Sequence, residues 1–114
     1  MSKRDPCLFF GDILEAIERI EEYTANYEFE DFVRDRKTVD AVLRNLEVIG
    51  EAARYVPEEI KEQHADVPWK RIIGLRNVVI HHYFGVDLNI VWTIVRLQLP
   101  DLKKSVEKIV EELC

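Results

Sequence analysis

The sequence predicts an all-α protein, an up-and-down bundle of four to five main helices forming one domain over residues 1–114. Three observations carry this expectation. Apolar residues recur at three- and four-residue spacings through most of the chain, the period of a helix with one buried face. No alternating apolar and polar run bounded by hairpin turns occurs, so a sheet is not expected. Only four Gly and four Pro interrupt 114 residues, with no repeat or low-complexity linker, so the connections are short.

The first helix is expected over about residues 5–26, where Leu8, Phe9, Ile13, Ala16, Ile17, Ile20 and Tyr23 form a stripe opposite Glu15, Glu18, Arg19 and Glu22. A short helical turn follows around Glu30 to Arg34. Lys37 to Tyr55 repeats the amphipathic pattern, with Val39, Val42, Leu46, Ile49, Ala53 and Val56 directed inward, and Pro57 ends it. Pro57 also opens a short helix reaching about His64. The turn-then-proline pattern of Asp66 to Trp69 starts another helix over Pro68 to Tyr83, which Gly85 breaks. Asp87 is the expected N-cap of a last long helix through Ile90, Val91, Ile94, Val95 and Leu97. Pro100 kinks or restarts that helix before Leu102, Val106, Ile109 and Val110.

Sixteen Lys and Arg against 22 Asp and Glu give a formal net charge of −6, which disfavours a protein that coats nucleic acid through bulk charge. Cys7 and Cys114 lack the spacing of a zinc site or a disulfide framework and read as unreactive bystanders in a reduced setting. The acidic N-terminal segment is unlike a signal peptide, and no apolar run approaches the roughly 18 residues of a membrane span. A cytoplasmic protein is expected.

The chemistry concentrates in PWKRIIGLRNVVIHHYF, Pro68 to Phe84. Residues 67–86 contain Lys70, Arg71 and Arg76 but no Asp or Glu, so this window alone offers a local positive site on an acidic chain. On an ideal helix Arg76 and Tyr83 lie nearly on one face, while Asn77 and His81 form an i, i+4 pair beside them. A purely structural helix has little use for four such groups, because each buried donor or charge needs a partner or costs roughly 1–3 kcal/mol. Histidine moves protons near neutral pH, and arginine presents a permanent forked cation to phosphate oxygens.

The arrangement Arg76-Asn77-x-x-x-His81-x-Tyr83 resembles the R-x4-H-x-Y signature of the HEPN superfamily, specifically the HepT-like toxins. Asp35-Arg36-Lys37-Thr38, the helix Arg44 to Ala53, Pro68-Trp69 and Gly85-Val86-Asp87 resemble the same group in order and spacing. The resemblance implies a HEPN-like bundle that forms a homodimer, with two copies of the motif facing a shared cleft. It also implies a metal-independent endoribonuclease toxin of a type VII toxin-antitoxin system, needing no cofactor. Arg76 and His81 are five residues apart, roughly 140° around one ideal helix, and pairing motifs from two subunits is an easier way to bring them to one phosphate. In these roles His81 is the general acid or base, Arg76 stabilises the phosphate and Asn77 orients one of them. The substrate is single-stranded RNA, such as tRNA ends or loops or mRNA. The partner is a nucleotidyltransferase antitoxin that adenylylates Tyr83. The runner-up is a non-catalytic nucleotide-binding or helical interaction module that keeps the groove without cleavage.

Other residues carry weaker signals. His82 is a secondary candidate beside His81, or a groove-edge histidine. Asn45 falls on the inward stripe of its helix and either reaches the motif or satisfies a structural hydrogen bond. Arg44, Glu47, Glu51 and Arg54 read as a solvated ion-pair stripe, and Gly50 and Ala53 as sites of close helix approach. Lys70 and Arg71 are either RNA backbone contacts or ordinary surface cations, while Trp69 and Trp92 read as core or interface anchors.

Overall fold

The computed structural model describes residues 4–82, 85 and 87–114. Among them every regular element is helical: α1 (Pro6–Tyr23), α2 (Phe29–Arg34), α3 (Arg36–Arg54), α4 (Glu58–Gln63), α5 (Trp69–Ile73), α6 (Leu75–His82), α7 (Leu88–Thr93), a π-helical stretch (Ile94–Gln98) and α8 (Leu99–Leu113). The expected all-α class is the observed one.

Helix α3 is the centre, packing on α1, α5, α6 and α2, while α8 lies against α1. The reason is burial at helical period. Phe10, Ile13, Ile17 and Ile20 of α1 meet Val42, Leu43, Leu46 and Ile49 of α3, and all eight are fully buried. Each such side chain contributes about 1.5–3 kcal/mol on leaving water. The inner stripe of α1 differs from the expected one at its ends. Phe10 takes the core position, Leu8 is exposed, and Phe9 stacks on Tyr55 with centroids 6.0 Å apart. The i, i+3, i+7, i+10 series of Phe10 allows no simultaneous burial of Leu8.

Polar side chains set the boundaries. The Asp5 carboxylate accepts from the Cys7 N–H at 2.9 Å and starts α1. Asn26, at φ 64°, turns the chain between α1 and α2 in the left-handed region that asparagine tolerates. Asp35 caps α3 through the Thr38 N–H, and Asp87 caps α7 through the Asn89 N–H, as expected for the latter. Gly85 has φ +100°, a conformation that excludes a helical continuation and suits glycine.

Two helices depart from the expected ones. The expected helix Pro68 to Tyr83 is broken at Gly74 into α5 and α6. Glycine is a poor helix former, and this break lies where the chain passes closest to α3. The last helix does restart at Pro100, α8 beginning at Leu99 with Pro100 in its first turn, but it does so out of a π-helical stretch. Proline lacks an N–H and its ring crowds the carbonyl four residues back. The ladder widens ahead of it, and the Leu99 N–H donates five residues back to the Ile94 carbonyl.

The cysteines overturn the expectation of bystanders. Cys7 and Cys114 form a disulfide with Cα atoms 6.1 Å apart across a sequence separation of 107. Their spacing carries no signal because the pairing is made by packing. Helices α1 and α8 run antiparallel, as the Lys103–Glu21 ion pair at their other ends shows, and this brings the first turn of α1 beside the residue after α8. Cysteine spacing therefore no longer supports a reduced setting.

Candidate active site

Helix α6 is seated by Leu75 and Val79, an i, i+4 pair that is almost fully buried. That registration turns Arg76, Asn77 and Ile80 outward. Opposite them, α3 comes unusually close. A Cβ on Gly50 would stand 3.2 Å from the carbonyl oxygens of Ile72 and Ile73 and 3.3 Å from the Arg76 nitrogen. The expectation that Gly50 permits close helix approach is met at the residue where it matters for the site.

The next residue, Glu51, follows Gly50 into the same space. Its carboxylate lies 3.5 Å from an Arg76 guanidinium nitrogen and 3.6 Å from one of Arg54. These groups line a groove of about 330 Å³ between α3 and the α5–α6 junction, together with Lys70 and Asn77. Three cations and one carboxylate meet there, on a chain whose formal charge is −6. Arg76 is about half exposed, so much of its guanidinium remains open to a second anion. A larger groove of about 410 Å³ lies between α5–α6 and the π-helical stretch with α8, where apolar residues such as Ile72, Leu75 and Leu97 alternate with Asp66, Arg71, Gln98 and Asp101. It includes neither Arg76 nor Asn77, and among the described residues its one cation, Arg71, shares it with two carboxylates, Asp66 and Asp101.

Of the residues singled out in sequence, Arg76 and Asn77 come together in the smaller groove. His81 and His82 occupy the last turn of α6, but their side chains, and Tyr83 altogether, lie outside the described residues. Asn45 does not reach this groove. It is buried on α3, its Nδ2 donates to the Ala41 carbonyl at 2.8 Å, and it borders a groove toward α1. Trp69 is a core anchor whose Nε1 donates to the His64 carbonyl at 3.0 Å. Trp92 packs on Phe32 at 4.9 Å and lies under Arg96, whose guanidinium carbon is 4.4 Å from its ring centre. Lys70 and Arg71 are exposed. Among the described residues no group of three or more His, Cys, Asp or Glu is placed to hold a metal ion.

Glu51 and Arg54 also line this groove, and sequence reasoning did not single them out as site candidates. As members of the stripe Arg44, Glu47, Glu51, Arg54 they look like solvent-facing ion pairs, and Arg44 and Glu47 are indeed exposed. Glu51 does form the expected i, i+3 pair with Arg54, and in addition it reaches across to Arg76 on α6. The available signal was its place directly after Gly50, since a contact glycine puts its neighbour at the rim of the contact.

The family described as Ribonuclease HepT-like matches residues 13–109. The chain belongs to this HepT-like ribonuclease family. It is 44% identical over 107 residues to "Putative RNase MJ1380" of Methanocaldococcus jannaschii, covering 94% of this chain and 98% of that protein. It is 45% identical over 107 residues to "Probable ribonuclease HepT" of Thermococcus cleftensis, covering 94% and 97%. "Putative RNase TTE0752" of Caldanaerobacter subterraneus subsp. tengcongensis is 39% identical over 109 residues, covering 96% and 97%. No solved structure matches. The HepT-like assignment spans every helix from the middle of α1 to the last turns of α8, and so includes both walls of the Arg76 groove. No described helix is long and apolar enough to cross a membrane.

Proposed function

We propose that this HepT-like chain is a metal-independent endoribonuclease, the toxin of a type VII toxin-antitoxin system. The observation that carries the reading is Arg76, followed by Asn77, in a cationic groove on the helix that also bears His81, in a chain whose family and relatives are named as ribonucleases. The ribose 2′-oxygen attacks the adjacent phosphorus, and the bond to the 5′-oxygen breaks. His81 takes the 2′-hydroxyl proton or returns one to the leaving oxygen. Arg76 stabilises the charge that builds on the non-bridging oxygens, and Asn77 orients one of the two. The products are a 2′,3′-cyclic phosphate and a 5′-hydroxyl, and DNA, lacking the 2′-hydroxyl, is inert.

His81 lies one turn and a half along α6 from Arg76, about 140° around the axis. A homodimer that apposes two copies of α6 resolves this, and exposed Ile80 within the motif, with exposed Ile90 and Leu97 on the segments after it, supports such a contact. The antitoxin is a nucleotidyltransferase that adenylylates Tyr83, adding bulk and negative charge where RNA phosphates approach. The test is cleavage of single-stranded RNA in chelator by the purified chain, Arg76→Ala and His81→Ala. Wild type is expected to leave 2′,3′-cyclic ends and both variants to lose about two orders of magnitude or more in rate. Undiminished cleavage by His81→Ala sinks the assignment, and an unmodified Tyr83 after co-expression with a neighbouring nucleotidyltransferase sinks the antitoxin mechanism.

A further inference from the structure

The smaller groove holds more positive charge than one scissile phosphate requires. Arg76 enters it from α6, Arg54 from the end of α3 and Lys70 from α5, so three helices each contribute one cation. Arg54 and Arg76 are both within reach of one carboxylate, that of Glu51, at 3.6 and 3.5 Å. Two guanidinium groups so close repel each other, and a carboxylate between them offsets that repulsion while keeping them on opposite sides. Arg54, Arg76 and Lys70 are all exposed, so their cationic groups are open to a ligand in the groove. An RNA strand presents evenly spaced anions, and a row of cations beside the reacting one suits the next phosphate along the backbone.

We propose that Arg54 and Lys70 form a second phosphate subsite that binds the RNA phosphate adjacent to the one held by Arg76, with Glu51 as the positioning residue that spaces the two arginines. The proposal rests on the ribonuclease reading above and adds how the strand is held. It also explains how an acidic protein engages a polyanion, since the contact is confined to a short cationic row with a small salt dependence.

The experiment uses the full chain in two arms. In the binding arm, a fluorescein-labelled single-stranded RNA oligonucleotide with 2′-O-methyl groups, which cannot be cleaved by 2′-oxygen attack, is titrated by anisotropy across a salt series. Arg54→Ala and Lys70→Ala are each expected to weaken binding roughly fivefold at low salt. Each should also make the log affinity against log salt slope shallower by about 0.7. Wild-type affinity and slope in both variants overturn the subsite. In the cleavage arm, Glu51→Gln is expected to lower kcat while binding the oligonucleotide no more weakly than wild type, a split that mere loss of stability does not produce. An unchanged kcat overturns the positioning role. A wild-type chain that binds the oligonucleotide with the predicted variant effects yet cuts no RNA overturns the ribonuclease reading and leaves the subsite standing.

Discussion

Asp35 serves three donors at once. The Tyr27 hydroxyl donates to it at 2.5 Å, the Thr38 hydroxyl at 2.7 Å and the Thr38 N–H at 3.2 Å. The Tyr27 bond, then the two from Thr38, holds the Asp35 carboxyl below the ordinary aspartate range, and the same bond to Asp35 pushes the Tyr27 phenol up. The two shifts act on opposite limbs of the stability curve. Asp35, with its folded value depressed, contributes stability that is complete above the ordinary carboxylate value and is lost as pH falls through the depressed value. Tyr27, with its folded value raised, contributes stability that is complete below the ordinary tyrosine value and is lost as pH rises through the raised one. Tyr27→Phe is therefore expected to bring Asp35 closer to ordinary aspartate titration, read by carboxyl-carbon NMR. An Asp35 titration identical in both proteins contradicts the hydrogen bond.

At the scale of elements, the site depends on how closely α3 and the α5–α6 junction approach. Gly50→Ala adds a Cβ within 3.2–3.3 Å of backbone atoms on the facing segment, and backbone gives way less readily than a side-chain tip. Overpacking of this kind costs about 1–3 kcal/mol. The gain in helix propensity from alanine, up to about 1 kcal/mol, offsets only part of it. A lower urea midpoint with an unchanged m-value is expected, together with weaker cleavage, since the junction carries Arg76 away from Glu51. A midpoint at or above wild type contradicts the close approach. The helices themselves were legible because Val39, Val42, Leu46, Ile49, Ala53 and Val56 keep the helical period and all are buried. The break at Gly74 was not, because a run such as Pro68 to Tyr83 is locally compatible with one continuous helix and only the neighbouring α3 decides where it bends.

At the scale of the whole molecule, the Cys7–Cys114 bridge closes a loop with a sequence separation of 107 and ties α1 to α8. A crosslink over so long a loop removes much of the unfolded chain's freedom, and native bridges typically contribute about 2–4 kcal/mol. Reduction, or the double substitution Cys7→Ser and Cys114→Ser, is expected to lower Tm without changing the helical signal in circular dichroism. An equal Tm with and without reductant overturns the contribution. Charge acts at this scale too: with −6 overall and no Asp or Glu in residues 67–86, the α5–α6 segment is a locally basic stretch on an acidic chain.

The sequence by itself determined the helical class, the caps at Asp87 and Pro57, most of the buried stripe of α3, and the motif from Arg76 to Tyr83. Each of these is written in local spacing, either the 3.6-residue period or a short fixed interval. Only the tertiary structure decided that Glu51, besides pairing with Arg54 on its own helix, also meets Arg76 of α6, and that Cys7 meets Cys114. Those outcomes depend on which helix faces which, and at what separation. Contacts between residues far apart in the chain are set by the packing of whole faces, and a local cue such as the place of Glu51 after Gly50 marks the rim of a contact without naming its partner.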